Sequence, residues 1–332
     1  MSKSYKYKIG VSQCVGGRWR DKANVEMLSA QHLYDNDVKV IIKNANNNTQ
    51  LQSEQIDSLV DESVDLLVVS PNDDRALNAS LLRAHKRHIP IVFFDRLTSI
   101  PYYTAYIGGD NIDAGQQMAR YAVRLCRDSV RAEGRPVVLE ITGPMLLSPD
   151  RDRHKGFANV MQHHPDIEYL SVPSNWSFEG SSDIMKQWLT AKKKVDVVFC
   201  HSDHAAFGAR EGALSTGRGA GIRFLGVDGL PGEGIDSIQQ GKLSASYIYP
   251  THGEEVIALA LRVLEGKKVT RFNIIDSYVV TPQNVADVAM SSNALMRQNQ
   301  YLATIQQKLE TYLGFYYTQR TITLVFVLFT IM

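Results

Sequence analysis

The sequence has 332 residues, of which 44% are hydrophobic and 21% are charged, and its formal net charge is +1. A chain of this length is longer than one hydrophobic core usually supports, so two domains are expected. The near-neutral charge argues against a nucleic-acid-binding protein, which usually carries a basic excess. The three cysteines are too few and too scattered for a disulfide framework or a metal cluster.

The first part of the chain alternates between strand-like and helix-like patterns. Strands are predicted at residues 6–12, 38–42, 65–70 and 89–96, and helices at 19–34, from Thr49 onward, and at 74–86. Thr49 follows an asparagine-rich loop and is a candidate helix N-cap. This alternation predicts βαβ units around a parallel sheet with right-handed crossovers.

A second series of the same kind follows. The predicted strands are 106–109, 136–141, 167–172, 195–200 and 222–227, and the predicted helices are 113–131, 151–163, 177–189 and 203–215. Two runs of about four βα units each predict an α/β protein with two Rossmann-like lobes. No close sequence repeat is visible, so the similarity of the lobes is expected in structure only.

The C-terminal part has a different pattern. Apolar residues recur at steps of seven, three, four and three, which is a heptad-like spacing. These residues are Leu295, Leu302, Ile305, Leu309 and Tyr312. The spacing predicts a stalk helix, and a helix packed on the domain is an equally good interpretation of the pattern alone.

The last twelve residues, 321–332, contain no charged side chain and follow two tyrosines and Arg320. A membrane-spanning helix needs about 20 apolar residues. We therefore interpret residues 321–332 as the first half of a truncated transmembrane helix, with aromatic and basic residues at the membrane interface. A buried C-terminal strand is the alternative. The N-terminus has no apolar signal core, so the protein is expected to be cytosolic or to have lost a targeting segment.

The strand predicted at 89–96 begins with a run of β-branched and aromatic residues, which is typical of a strand buried on both faces. Its polar residues, Asp95 and Arg96, come at its carboxyl end. In an open α/β sheet this end faces the ligand crevice. A carboxylate beside a guanidinium can bind neighbouring hydroxyls of a polyol, and a simple ion pair that ends the strand is the alternative.

Other polar and aromatic residues also follow predicted strand ends. Sugars present apolar C–H faces and a rim of hydroxyls, so aromatic rings such as Trp19 and Trp176 suit a sugar site, although each could equally belong to the core. The candidates besides Asp95 and Arg96 are Ser12, Gly16, Gly17, Arg18, Trp19, Trp176, His201, Ser202, Asp203, Asp228, Gly229 and Tyr249.

Motifs for catalysis are weak. Residues 201–204, His-Ser-Asp-His, have the residue types of a hydrolase triad, but adjacent positions cannot align as nucleophile, base and orienting group. No third metal ligand occurs at a recognised spacing, and no phosphate loop or dinucleotide fingerprint is present. We therefore predict no catalytic residue, no metal and no cofactor in this region. Arg151 and Arg153, just before a helix, could bind hydroxyls or a carboxylate, or form an ordinary solvated helix start.

Seven short motifs occur in an order that resembles the type I periplasmic binding proteins, the ribose-binding group that also includes the effector domains of lactose-repressor-like regulators. The similarity extends from about Tyr7 to about Pro282. The motifs are residues 46–48 with 55–56, 67–71, 89–96, 109–111 with Gly115, 151–153 with 156–157, 202–203 with 206 and 208–209, and 226–229.

The resemblance implies a two-lobed sugar clamp with hinge crossovers, an N-terminal lobe of residues 6–109 and 250–278, and a C-terminal lobe of 110–249 and 279–291. It implies no cofactor and no enzymatic activity. The implied ligand contacts are Arg18, Trp19, Asp95, Arg96, Arg153, Trp176, Ser202, Asp203, Asp228 and, near a hinge, Tyr249. The sequence departs from the family pattern at two places, so the identity of the sugar is not determined. The loop after the first strand usually carries two aromatic residues in the family, but here it contains Arg18 and Trp19. Ser202 stands at a position where the family often has asparagine.

The stalk at 292–320 and the apolar run at 321–332 resemble membrane sensors rather than soluble receptors of this family. They are similar to the hybrid two-component sensors of gut bacteria that detect monosaccharides, and within that group to the fructose sensor. This resemblance implies a periplasmic domain of an inner-membrane protein, fructose as the favoured ligand, a homodimer through the stalk, a membrane contact through the C-terminal helix, no nucleic acid, and a histidine kinase elsewhere in the full-length chain.

Three alternatives remain at this stage. The first is a soluble periplasmic receptor of an ABC transporter. The second is an intracellular regulator, which would need a DNA-reading helix-turn-helix that does not precede Tyr7. The third is a sugar-modifying enzyme, for which no acid and base pair is evident.

Overall fold

A computed structural model describes residues 5–34, 37–73, 75–128 and 134–331. These ranges contain twelve strands and ten helices. The chain divides into two compact units, Met1–Pro282 and Gln283–Met332.

The first unit contains two six-stranded sheets. The first sheet has the strand order β11-β5-β4-β3-β1-β2, and all its neighbouring strands are parallel. Its strands are β1 (Tyr7–Gln13), β2 (Val38–Asn44), β3 (Leu66–Val69), β4 (Ile91–Phe94), β5 (Ala105–Gly109) and β11 (Phe272–Ile275). The helices of this lobe are α1 (Arg18–Leu33), α2 (Thr49–Asp61), α3 (Asn78–Lys86) and α9 (Gly253–Leu264). Helix α1 packs beside α9, and α2 packs beside α3.

Strand β4 shows why the central strands are apolar throughout. Val92 and Phe94 belong to the core cluster that contains α1 and α9, whereas Ile91 and Phe93 belong to the cluster that contains α2 and α3. Successive side chains of a strand point to opposite faces. A strand covered by helices on both sides must therefore be apolar at every position, as β4 is.

The second sheet has the order β12-β10-β9-β8-β6-β7, with β12 antiparallel to β10 and the other pairs parallel. Its strands are β6 (Val137–Thr142), β7 (Glu168–Pro173), β8 (Val197–Cys200), β9 (Arg223–Asp228), β10 (Ala245–Ile248) and β12 (Val279–Val280). Its helices are α4 (Asn111–Asp128), α5 (Ser148–Met161), α6 (Phe178–Thr190), α7 (Asp203–Ser215) and α8 (Gly234–Gln239). The chain crosses between the sheets after β5, after β10 and after β11.

The predicted α/β class with two parallel-sheet lobes is confirmed, and three local predictions are corrected. Arg151 and Arg153 lie within α5, which begins at Ser148, and not before the helix. The N-cap of α2 is Asn48, whose side chain accepts a hydrogen bond from the backbone N–H of Leu51, so Thr49 is the first helical residue and not the cap. Helix α3 begins at Asn78 and not at residue 74, which lies outside the described residues. Helices α8 and α9 and strands β10, β11 and β12 were not predicted as individual elements.

The second unit contains the 47-residue helix α10 (Val285–Ile331). Residues 292–331 are therefore helical, and the alternative of a C-terminal strand is wrong. Ile305, Leu309 and Tyr312 of the predicted seam are exposed, and the side chains of Leu295 and Leu302 lie outside the described set, as does Met332. Among the described residues no helix is both long and apolar enough to cross a membrane, so the predicted membrane helix is not confirmed.

Candidate functional site

A cavity of about 430 Å³ lies between the two sheets, at the carboxyl ends of their strands. This volume falls within the usual range of small-molecule sites. The first lobe contributes residues that follow β1 and β4, and the second lobe contributes residues at or after the ends of β6, β7, β8, β9 and β10. The lining residues are Gly16, Gly17, Arg18, Trp19, Arg20, Asp95, Arg96, Pro149, Arg153, Trp176, His201, Ser202, His204, Asp228, Leu230, Glu233 and Tyr249.

Nine of the ten residues predicted as ligand contacts line this cavity. The exception is Asp203, which is buried behind the wall. One of its carboxylate oxygens accepts a hydrogen bond from the backbone N–H of Gly229 at 2.8 Å, and the other accepts from the Ser246 hydroxyl at 2.6 Å. Asp203 therefore links α7 to β10 and to the residue after β9, and burial raises the pKa of its carboxyl.

The first-lobe wall is centred on Asp95. Asp95 adopts a left-handed backbone conformation with φ of 63°, which turns the chain sharply as β4 ends. Its carboxylate forms a buried ion pair with Arg20, and Arg96 Nε lies 3.8 Å from the same carboxylate oxygen. The sequence analysis did not identify Arg20 as a site residue. A buried arginine requires an acceptor nearby, but the burial of Arg20 is seen only in the structure. Asp95 thus lies between two guanidinium groups.

Trp19 forms an aromatic part of this wall. Its ring stacks on Phe94 with centroids 5.6 Å apart and an interplanar angle of 17°. Its Nε1 donates a hydrogen bond to the backbone carbonyl of Tyr249 at 2.9 Å, and the guanidinium of Arg20 lies 4.8 Å from its ring centroid. The indole is therefore fixed in orientation by contacts on its face and at its edge.

Arg153 is held in place on the second-lobe wall by two hydrogen bonds. Its Nε donates to the Asn111 side-chain oxygen at 2.8 Å, and its Nη1 donates to the backbone carbonyl of His201 at 2.6 Å. The guanidinium also lies 4.7 Å from the ring centroid of Tyr249, whose hydroxyl accepts a hydrogen bond from Asn111. These contacts orient Arg153 and Tyr249 together.

Asp228 ends β9 with a positive φ of 127°, so its backbone is strained for a non-glycine residue. Burial raises the pKa of its carboxyl to about 7, with Arg153 acting in the opposite direction and the negative charges of Glu233 and Asp95 reinforcing the rise. Hydrogen-bond donors from a ligand would favour the ionised form of this carboxyl. Asp228 is therefore suited to accept hydroxyl donors.

Trp176 also has a left-handed backbone, with φ of 64°. Its ring centroid lies 5.5 Å from the guanidinium of Arg96, which belongs to the other lobe. A Cβ atom added at Gly143 would lie 2.2 Å from the indole Nε1. Only glycine at position 143 therefore permits this placement of the indole.

His201 is fully buried between two carboxylates. Its Nδ1 pairs with Asp150 Oδ1, and its Nε2 pairs with Glu140 Oε1 at 2.9 Å. Both ring nitrogens face carboxylate oxygens, an arrangement that favours the doubly protonated imidazolium form, in which both nitrogens donate. Burial opposes this charge, yet the hydrogen bonds to Asp150 and Glu140 raise the pKa of His201 above its usual value. Conversely, hydrogen bonds from His154 and His201 hold the pKa of the buried Glu140 near 2.

The contacts of residues 201–204 exclude the interpretation of this motif as a hydrolase triad. The Ser202 hydroxyl caps α7 by accepting a hydrogen bond from the backbone N–H of Ala205 at 3.1 Å, and both nitrogens of His201 are already bonded to carboxylates. No Ser-His-Asp alignment exists here. In the described ranges no group of three or more His, Cys, Asp or Glu side chains could hold a metal ion.

Besides the contacts of Trp19 with Tyr249 and of Arg96 with Trp176, an ion pair and a hydrogen bond join the lobes near the cavity. Arg18 of the first lobe forms an ion pair of 2.9 Å with Glu233 of the second lobe. The backbone N–H of Leu97 donates to the Ser148 hydroxyl at 3.2 Å.

Two parallel-sheet lobes that face each other across a cavity with charged and aromatic walls define a two-lobed α/β ligand-binding domain. A family model described as "periplasmic binding protein domain" matches residues 9–268. The chain belongs to this family, and the resemblance to type I periplasmic sugar-binding proteins is confirmed.

Three relatives illustrate the family. The structure of the fructose-binding periplasmic domain of the hybrid two-component system BT1754 is 30% identical, with a TM-score of 0.85, and the match covers 90% of this chain and 98% of that one. The xylitol-binding protein of Mycolicibacterium smegmatis is 26% identical over 267 residues, which are 79% of this chain and 74% of the relative. The ribose import binding protein of Salmonella typhimurium is 25% identical over 246 residues, covering 74% and 80%.

Proposed function

We propose that this region binds a monosaccharide between its lobes, with fructose as the favoured ligand, and that it is the extracytoplasmic sensor domain of a membrane-bound two-component receptor. The observation that supports sugar binding most strongly is the pairing of acid and guanidinium groups on both walls. Asp95 and Arg96 line the first-lobe wall, and Arg153 and Asp228 line the second-lobe wall.

This arrangement matches the chemistry of a sugar. Each sugar hydroxyl can donate and accept a hydrogen bond, so a carboxylate and a guanidinium side by side can satisfy neighbouring hydroxyls. Arg96 Nε is buried and has no hydrogen-bond partner among the described residues, so it is a donor that a ligand would satisfy. The rings of Trp19 and Trp176 would pack against the apolar C–H groups of the sugar.

We propose binding without chemical change of the sugar. Asp95 is paired with Arg20, and His201 is bonded to two carboxylates, so neither is available as a proton-transfer group. Burial raises the pKa of the Asp228 carboxyl to about 7, so Asp228 is a candidate for one such group. Glycosidic or isomerase chemistry needs a second positioned acid or base. Product formation after prolonged incubation with the bound sugar would contradict this part of the proposal.

Calorimetric titration with purified protein tests sugar binding. The panel contains fructose, ribose, xylitol, glucose, galactose and arabinose. We expect one-to-one binding with fructose as the tightest ligand, which the similarity to a fructose-binding domain supports. Tighter binding of another monosaccharide would contradict only the choice of fructose. Tightest binding of xylitol, which is a sugar alcohol, or no heat from any member would contradict monosaccharide binding.

The sensor assignment is supported by that same relative and by helix α10. At about 1.5 Å per residue, its 47 residues extend for roughly 70 Å. Exposed apolar side chains at Ile305, Leu309 and Tyr312 suit pairing of two such helices, so we propose a homodimer through the stalk and a membrane contact beyond it. A ligand that binds one lobe arrangement better than another would shift the lobes and displace the stalk.

The second candidate is a soluble receptor of an ABC transporter, because the ribose import binding protein is also a relative. Truncation of the gene product after residue 291 distinguishes the two. A sensor loses its sugar-dependent signal while the truncated protein still binds sugar. A transport receptor truncated at the same point still supports uptake, and that result would contradict the sensor assignment.

A further inference from the structure

We propose that Asp150, held by the buried His201, is a positioning residue that fixes the indole of Trp176 over the cavity. The inference rests on the proposed function, because Trp176 is assigned there as a ligand-facing ring. Asp150 does not line the cavity and would act on the sugar only through Trp176.

The hydrogen bonds of Asp150 converge on one oxygen. Asp150 is completely buried, and its Oδ1 accepts from the backbone N–H of Gly143 at 3.0 Å, from Trp176 Nε1 at 3.2 Å and from His201 Nδ1. Trp176 is therefore connected directly to a charged, immobile group. Its left-handed backbone persists only where surrounding contacts hold it, and the bond to Asp150 is one such contact.

Two features show that the carboxylate is not explained by packing alone. Asp150 Oδ2 is buried and has no hydrogen-bond partner among the described residues, so burying this side chain costs free energy. His201 does not need Asp150 as its only counter-charge, because Glu140 pairs with its other nitrogen. The contacts that Asp150 makes and Glu140 does not are the hydrogen bonds from the Gly143 backbone N–H and from Trp176 Nε1, and only the second reaches a cavity-lining side chain.

His201 also reaches the opposite part of the same wall. Its backbone carbonyl accepts the 2.6 Å hydrogen bond from Arg153 Nη1, while its ring holds Asp150. His201 thus contacts both Arg153, a cationic residue of the cavity wall, and Asp150, the acceptor for the Trp176 indole. A rigid supporting shell of this kind is what keeps a binding site in its productive geometry.

A double-mutant cycle tests the inference. Asp150→Ala should raise the Kd for the bound sugar about tenfold in the natural protein and by less than about twofold in a Trp176→Phe background, where the indole N–H is absent. Asp150→Asn should restore most of the affinity, since its amide oxygen can accept from the indole. An equal loss in both backgrounds, or no loss in either, would overturn the inference. Should the alanine variant not fold, Asp150→Ser, whose hydroxyl is too short to reach the indole, replaces it.

A measurement without sugar separates this inference from the proposed function. The sequence has three tryptophans, so protein labelled with 5-fluorotryptophan gives three fluorine resonances, and the variants Trp176→Phe and Trp188→Phe assign two of them. Asp150→Ala should shift or broaden the Trp176 resonance and leave that of Trp188 unchanged. Glu140→Gln is the matched control, because it removes the other carboxylate on His201 without touching the indole. A Trp176 resonance that does not change in Asp150→Ala contradicts the inference, whether or not the protein binds sugar.

Discussion

Asp228→Asn should weaken sugar binding and stabilise the ligand-free fold at the same time. The substitution keeps the size of the side chain but removes its charge. In the proposed complex the Asp228 carboxylate accepts hydroxyl donors, so binding loses charge-assisted hydrogen bonds. In the ligand-free protein the same carboxyl is held in an unfavourable environment, which is why its pKa is raised from 3.8 to about 7.

The structure sets the size and sign of both effects. Two charge-assisted hydrogen bonds contribute about 1.5–3 kcal/mol each, and the amide retains one acceptor, so we expect a loss of about 2–4 kcal/mol, or roughly 30- to 1000-fold in Kd. Because the folded-state pKa lies above the unfolded value, the native state binds more protons between pH 4 and pH 7, and the carboxyl costs stability as the pH rises through that window. Asparagine removes this cost, so its stabilising effect should be complete at pH 8 and absent near pH 4.

Calorimetric titration and thermal unfolding of the same samples measure the two effects. Asp183→Asn is the matched control, because that side chain is 65% exposed on α6 and lies outside the cavity. It should change neither Kd nor the thermal midpoint appreciably. A variant at position 228 that binds sugar as tightly as the natural protein, or that unfolds at a lower temperature at pH 8, would refute the reasoning.

Two further predictions follow from the same wall. Sugar affinity should fall about tenfold from pH 8 to pH 6. The reason is that ligand hydroxyls favour the ionised form of Asp228, whose pKa in the free protein is about 7. A calorimetric affinity that does not change with pH would contradict a direct contact between Asp228 and the sugar. Gly143→Ala should raise Kd at least about tenfold, since its Cβ would lie 2.2 Å from the Trp176 indole nitrogen and 2.3 Å from Asp150 Oδ2, whereas Gly314→Ala on α10, outside the cavity and with no atom within 4 Å of the added Cβ, should bind normally. Equal affinities of the two alanine variants would contradict the described placement of Trp176.

The central strands could be predicted because short apolar runs alternate with helical patterns along the chain. Residues 91–94 are apolar at every position, which is typical of a strand covered by helices on both faces. The N-cap of α2 was misplaced because asparagine and threonine both cap helices well, and an asparagine-rich loop does not identify which residue takes the cap.

The location of the site followed from the rule that ligands bind at the carboxyl ends of parallel strands, which brought Asp95, Trp176 and Asp228 to one cavity. The rule does not determine where each side chain points. Asp203 follows a strand like the others, but it bonds to Gly229 and Ser246 behind the wall.

The supporting groups could not be paired from the sequence. Glu140 is a single acid inside the apolar strand β6, and such a residue must have a buried partner. Its partner His201 lies 61 residues away in the sequence, and His201 in turn lies 51 residues from Asp150. Pairings at this separation depend on the packing of the whole lobe, so no local sequence pattern predicts them.

The central claim is that a monosaccharide binds between the two lobes. A crystal structure grown with the tightest-binding sugar of the panel tests it most directly. The account predicts a sugar in the cavity within hydrogen-bond distance of Asp95 and Arg96 on one side and of Arg153 and Asp228 on the other. A sugar bound outside this cavity, or in contact with one lobe only, would contradict it.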